Sequence, residues 1–391
     1  MDKTPVALRK HIVIVGKTNV GKSMLFNMLT GQNNAIVSPV PGTTTDPVQK
    51  AMELIPFGPV VLVDTAGLGD DSVLGDVRMK KTQMISRRAD IALYAADAVM
   101  FDRVAYEKFA NGRLLHLLVF TKWDLADEET KAELISQYPE SIQTMPDQDV
   151  SVLHGRLSAL LTLQQPEEPM LIADLVPTGG SVVLVTPIDS EAPKGRLILP
   201  QIQVLRECLD CGIIATVCRE FELTEALRNQ RNVDLVVTDS QVFDYVNKRL
   251  PPEIPLTSFS MLLARQKGNF EQLLSGISAL DELTDGANIL MLEGCTHNHT
   301  HEDIGRIKIP AMLRKKTGKK LVFQYFSGYD FPEDLMPFSM AILCGSCMVN
   351  RREIQFRLDA MALAGLSVTN YGIALAWGAG ILERAIAVFR L

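Results

Sequence analysis

The feature that most limits what this chain can fold into lies near its start. Residues 11–15 read His-Ile-Val-Ile-Val, a β-branched run of the kind a buried parallel strand needs. They lead directly into Gly16-Lys17-Thr18-Asn19-Val20-Gly21-Lys22-Ser23 and then into a helical stretch at 24–29. Strand, glycine-punctuated loop and helix form one unit. Its loop wraps phosphate with backbone N–H groups at a helix N-terminus, here those of Gly16, Asn19, Val20 and Gly21 and of the helix-opening Lys22, Ser23 and Met24. The Lys22 ammonium then reaches the β and γ phosphates, and the Ser23 hydroxyl holds Mg²⁺. The chain must therefore begin with an α/β fold on a parallel sheet.

Three further segments fall where such a fold needs them. Pro41-Gly42-Thr43-Thr44-Thr45-Asp46 occupies the place of a first switch segment, with Thr44 sensing the γ-phosphate through Mg²⁺. A strand at 60–63 leads into Asp64-Thr65-Ala66-Gly67. Asp64 stands behind the Mg²⁺, and the Gly67 amide meets the γ-phosphate. Leu68 follows, where many switch GTPases carry a water-orienting Gln. A strand at 117–120 precedes Thr121-Lys122-Trp123-Asp124. Asp124 can accept two hydrogen bonds from guanine that adenine cannot offer, and the Lys122 stem lies along the base. Thr121 stands where Asn is usual, which weakens one stabilising contact. Ser151 and Val152, in Val150-Ser151-Val152-Leu153, are the candidates for a further base-site loop.

The length of 391 residues allows two or three domains, and a net charge of -7 argues against nucleic-acid binding through a broad basic face. The basic run Arg314-Lys315-Lys316 reads as a solvated helix end. Residues 1–10 hold no apolar signal core, and the apolar tract at 371–382 is too short to span a bilayer. A cytoplasmic, membrane-free protein with reduced thiols is expected.

Residues 164–169 are polar and proline-rich and read as a linker. Strands are then expected at 181–186, 213–218, 233–238 and 254–258, with helices at 199–210, 223–229 and 240–249. This is a second run of βα units on a parallel sheet. It carries no catalytic constellation and reads as a dimerisation unit. Cys208 and Cys211, at the end of one helix, read as structural thiols.

In the last part, helices are expected at 270–283, 352–364 and 373–388, and strands at 287–292, 321–325 and 340–343. Cys295 follows the first of these strands, and Cys344 and Cys347 follow the third. Both groups then lie at C-terminal strand ends, where open α/β sheets place ligands. Gly294 and Gly345 allow close backbone approach. The spacing suits zinc held by Cys295, His297, Cys344 and Cys347, an iron–sulfur cluster on the three cysteines, or free thiols, and does not choose among them. His299 and His301 read as loop residues.

The motifs at 16–23, Thr44, 64–67 and 121–124 resemble those of the Era/TrmE branch of GTPases, over roughly residues 8 to 165. That resemblance implies GTP and GDP as ligands and a K⁺ ion at Asn19 that stimulates hydrolysis; with Leu68 in place of Gln, either hydrolysis is slow or another group positions the water. The order of parts, with Cys295-x-His297 and then Cys344-x-x-Cys347, resembles the HydF family of di-iron hydrogenase maturation GTPases over essentially the whole chain. The segments at 303–310 and 331–335 add to it. This resemblance implies three α/β domains: a P-loop GTPase domain at 1–165, a dimerisation domain at 175–262 and a 4Fe–4S domain at 268–391. It also implies a cluster on Cys295, Cys344 and Cys347, with His297 a candidate fourth ligand. Leu343 stands where that family often has His. The implied activity is a GTP-hydrolysing scaffold that receives a di-iron precursor from two radical-SAM maturases and delivers it to apo-hydrogenase, working as a homodimer. An RNA-modification or ribosome-assembly GTPase with structural zinc is the alternative, and an iron–sulfur electron carrier with a vestigial switch is a third.

Overall fold

The computed structural model describes residues 4–31, 48–65, 85, 87–112, 114–163, 169–188, 195, 197–294 and 304–389. The chain forms two compact units, Met1–Glu167 and Glu168–Leu391.

The first unit is built on a six-stranded sheet. Its strands are β1 (Lys10–Val15), β2 (Val48–Leu54), β3 (Gly58–Asp64), β4 (Ile91–Asp97), β5 (His116–Thr121) and β6 (Ile142–Gln143), in the order β2-β3-β1-β4-β5-β6. Only β2 runs antiparallel to its neighbour; the other pairs are parallel. The alternation of β1 shows why the strand is continuously apolar. Ile12 and Ile14 pack with Leu25, Phe26, Leu153 and Leu157, whereas Val13 and Val15 pack with Tyr94, Phe120 and Leu134. The helices Lys22–Thr30 and Ser151–Leu163 thus cover one face and Glu128–Gln137 the other. The chain leaves β1 toward β3 on one side, and β4 lies on the other. The loop after β1 therefore sits at the point where the strand order reverses.

The second unit contains two four-stranded parallel sheets. One comprises β7 (Ser181–Val185), β8 (Ile214–Cys218), β9 (Leu235–Thr238) and β10 (Leu256–Ser258), in the order β10-β9-β7-β8. The other comprises β11 (Asn288–Glu293), β12 (Val322–Ser327), β13 (Met340–Leu343) and β14 (Val368–Asn370), in the order β12-β11-β13-β14. One hydrophobic cluster runs through both, joining Val183 of β7, Leu262 and Leu263 of the helix Phe259–Lys267, and Leu290 of β11. That helix continues past residue 262, where the sequence reading ended the middle domain.

Two expected helices are broken. The stretch at 270–283 is a helix only over Phe270–Ser275, followed by a 3-10 turn, Gly276–Leu280. Gly276 lies so close to β14 that a Cβ there would come within 2.0 Å of the Val368 carbonyl oxygen. The stretch at 373–388 divides into Tyr371–Ala379 and Leu382–Ile386. Gly380, at φ 72°, closes the first helix, with its N–H bonded to the Trp377 carbonyl. Among the described residues no helix is long and apolar enough to cross a membrane.

Candidate functional site

The loop after β1 is held open by backbone shape. Gly16, Asn19 and Gly21 have φ of 149°, 62° and 96°. A Cβ on Gly16 would lie 2.3 Å from the Ala95 carbonyl oxygen of β4, so only glycine fits there. Asn is among the few side-chain-bearing residues that tolerate the left-handed region Asn19 occupies. The helix Lys22–Thr30 starts from Gly21 with no side-chain cap. Its first amides, including those of Ser23 and Met24, are left to an anion.

Lys22 is buried, and its ammonium donates to the carbonyls of Gly16 at 3.2 Å and Lys17 at 2.7 Å. Burial pulls its pKa down to about 8, partly opposed by Asp64. Ser23 Oγ donates to Asp64 Oδ2 at 2.7 Å. Asp64 is 1% exposed, and its Oδ1 has no hydrogen-bond partner among the described residues. Burial pushes its carboxyl above the usual range, against the Ser23 hydrogen bond and Lys22. A hydroxyl beside a buried, half-satisfied carboxylate is an oxygen donor set that suits Mg²⁺. Thr44 and Gly67 lie outside the described residues.

Thr121 does more than the sequence suggests. It is fully buried, and its hydroxyl reaches the Val20 carbonyl of the phosphate loop as well as the Ala96 carbonyl at 3.0 Å. The departure from Asn thus keeps a tie between the base loop and the phosphate loop. Lys122, at φ 53°, donates to Asp97 Oδ2 at 2.6 Å. Asp97 Oδ1 accepts from the Val99 and Met100 amides. Asp97 escaped the sequence reading; its only signal is an acidic residue closing a buried strand. Asp124 is exposed, in the turn Trp123–Leu125.

Ser151 and Val152 are not in a loop. They open the helix Ser151–Leu163, and Val152 is exposed. Asp149 accepts from the Ser151 amide at 2.9 Å and its hydroxyl at 2.7 Å, which starts the helix. The segment beside the base loop is instead Thr144, which follows β6. It is buried, its amide bonds to Phe120, and its carbonyl accepts from the Trp123 amide.

The thiol loop has its own scaffold. β11 and β13 pair in parallel with Leu292 opposite Leu343, which sets Gly294 beside Cys344. Cys344 Sγ accepts from the Gly294 amide at 2.9 Å and the Ser346 amide at 3.2 Å. Ser346 takes a left-handed φ of 54° to make this turn. A Cβ on Gly294 would meet Ser346 Cα at 3.0 Å and Cys344 Sγ at 3.3 Å, whereas Gly345 is less crowded. Burial, and then Cys344, push the Cys347 thiol up to about 11, while Lys267 pulls it the other way. Lys267 is buried and donates to the carbonyls of Ser346 at 3.0 Å, Cys347 at 3.2 Å and Val349 at 3.0 Å. At the foot of the neighbouring loop, Arg306 pairs with Glu293 at 2.9 Å, and Ser327 Oγ donates to the same carboxylate.

Cys295 and His297 lie outside the described residues, as do His299 and His301. Among the described residues no three His, Cys, Asp or Glu side chains gather as a metal set. Cys344 nonetheless fits a thiolate-bound metal, because a sulfur accepting two amide N–H groups is stabilised as an anion, whereas the buried Cys347 thiol gives up its proton only to a bound metal. Leu343 is buried in the core. Cys208 and Cys218 are buried, and burial raises both thiols to about 11.

Three family models match the chain. A model of 50S ribosome-binding GTPases covers residues 11–122. The hydrogen maturase F dimerization domain covers 171–268, and the hydrogen maturase F tetramerization domain covers 271–388. The tRNA modification GTPase MnmE of Dichelobacter nodosus is 34% identical over 42% of this chain and 37% of its own length. The GTPase Der of Wolinella succinogenes is 36% identical over 34% of this chain and 29% of its own. The chain thus spans roughly a third of the length of the curated relatives it matches. Among solved structures, the G domain of the T. maritima FeoB iron transporter is 22% identical with a TM-score of 0.31, covering 40% of this chain and 99% of that one.

Proposed function

Because the chain belongs to the hydrogen maturase F family, with that family's dimerization and tetramerization domains behind a GTPase domain, we propose that it is a GTP-hydrolysing scaffold and carrier. It holds a di-iron precursor of a hydrogenase active site at a 4Fe–4S cluster and passes the precursor to apo-hydrogenase. The observation that carries this reading is the Cys344 sulfur accepting two backbone amides at the shared end of β11 and β13. Cys295, Cys344 and Cys347 would hold the cluster, with His297 a candidate for its remaining position. A cluster on three protein thiolates offers one iron to an outside ligand.

In the GTPase domain, Lys22 neutralises charge on the β and γ phosphates, and the uncapped amides of its helix bind them. Ser23 and Thr44 hold Mg²⁺, with Asp64 behind Ser23. Asn19 is the candidate K⁺ ligand. Asp124 reads guanine. Hydrolysis is slow, since Leu68 orients no water. The nucleotide state acts on affinity for two radical-SAM maturases and for the hydrogenase rather than on the cluster's chemistry, because a switch works only through differential binding of its two states. The working form is a cytoplasmic homodimer or a larger assembly of such dimers. Kinship to MnmE and Der covers at most 42% of this chain in the relatives named, and it supports nucleotide binding without bringing an RNA substrate.

Replacing Cys344 by Ser tests the reading. Expected are loss of bound iron and of hydrogenase maturation, with GTP hydrolysis unchanged. A Cys344→Ser protein with full iron content sinks the site assignment.

A further inference from the structure

Lys267 ends the helix Phe259–Lys267, within the stretch matched by the dimerization domain. Its ammonium is spent on a loop 79 to 82 residues further on, in the stretch matched by the tetramerization domain. Three carbonyls of the segment 346–349 accept from this one ammonium. Those carbonyls belong to Ser346, Cys347 and Val349, so they bracket Cys347. Ser346 is also the residue whose left-handed turn lets its amide reach Cys344 Sγ. One side chain thus fixes the backbone on which both sulfurs hang. Taking an ammonium out of water costs several kcal/mol, so a fold keeps one only where it is well compensated. Metal-bound thiolates next to it bring net negative charge.

We propose that Lys267 is a positioning residue for the iron–sulfur cluster. It locks the Cys344–Cys347 turn in its ligating shape and sets a fixed positive charge beside the cluster, which favours the reduced form. This rests on the cluster reading above. It also makes the dimerization domain a supplier of the cluster's surroundings, so that the cluster loop is complete only when the helix Phe259–Lys267 is docked.

The test uses the full chain, purified and reconstituted anaerobically with iron and sulfide, as wild type, Lys267→Met and Lys267→Gln. Lys267→Met keeps the apolar stem and removes both donors and charge. Its iron affinity should fall roughly 10- to 100-fold, the usual effect of losing such a support. In the metal-free protein, alkylation of the thiols at Cys344 and Cys347 should be faster than in wild type. Lys267→Gln keeps a donor without the charge. It should retain iron, with a more negative midpoint potential and an altered electron paramagnetic resonance spectrum. GTP hydrolysis should match wild type in both. Wild-type iron affinity and alkylation rate in Lys267→Met would overturn the positioning role. A wild-type potential in Lys267→Gln would overturn the charge role. Should Lys267→Met fail to fold, Lys267→Gln and its potential decide. Wild-type protein that binds no iron at all would instead defeat the cluster reading.

Discussion

Lys22 and Lys267 each cross a loop at the C-terminal end of a parallel strand, and each donates to backbone carbonyls there. Lys22 serves its own loop, 5 and 6 residues back. Lys267 serves a loop in another domain. Burial leaves Lys22 with its pKa lowered to about 8, a cation held in readiness for phosphate. Lys267 donates to three carbonyls of the loop it crosses and behaves as a strut. The difference is that the ligand-facing lysine donates to two carbonyls of its own loop, whereas the loop-holding lysine donates to three carbonyls of a distant one.

The glycines give the strongest way to break the comparison. Gly16→Ala forces a Cβ to 2.3 Å from a β4 carbonyl at a φ of 149°, costing about 3 kcal/mol or more. Denaturant unfolding of the first unit should shift accordingly and GTP binding should vanish, while iron content stays. Lys22→Met should lower GTP hydrolysis by on the order of 100-fold, as expected for a lost electrostatic partner of the transferred group, without touching iron. Gly294→Ala is milder, since its contacts begin at 3.0 Å. A cost of about 1–3 kcal/mol, read as weaker iron retention with unchanged GTP hydrolysis, is expected.

Proton linkage sharpens the contrast. Phosphate binding favours the charged form of Lys22, whose pKa in the ligand-free site is about 8. Below that pH the ammonium is already present. Above it, binding must take up a proton, so GTP affinity should fall by up to about tenfold per pH unit. Titration calorimetry in buffers of different ionisation enthalpy checks this; a flat affinity from pH 7 to 9.5 would remove Lys22 from the phosphate site. The smallest effect concerns Thr121. Thr121→Val deletes the hydroxyl that ties the base loop to Val20. One such hydrogen bond contributes about 1 kcal/mol, so GTP affinity should drop roughly fivefold.

How much of this was legible in the sequence differs between the two loops for a physical reason. The nucleotide site is local. Gly16, Gly21, Lys22 and Ser23 lie within one strand-loop-helix unit, so spacing alone encodes their geometry. The thiol loop is assembled from three distant segments, ending in Lys267, Gly294 and Cys344 to Cys347. Cysteines announce themselves by chemistry. A lysine before Gly268 reads only as a helix end, because its partners are backbone carbonyls and carbonyls have no letter. Asp97 was hidden for a different reason, because its partner Lys122 lies 25 residues further on and no motif spacing links the two. Ser151 and Val152 show the opposite error. The segment reads as a base-site loop, but it opens a helix, with Asp149 accepting from the Ser151 amide and hydroxyl. The broken helices at Gly276 and Gly380 were hidden because periodicity carries across a glycine. Only contact with β14 or a left-handed φ ends the turn there.

The central claim is that the second unit of a GTPase chain carries a thiolate-bound iron–sulfur cluster. Metal analysis of anaerobically purified full-length protein, with an electron paramagnetic resonance spectrum after reduction, tests it most directly. The account predicts iron and acid-labile sulfide with the signal of a reduced 4Fe–4S cluster. Stoichiometric zinc without iron would contradict it.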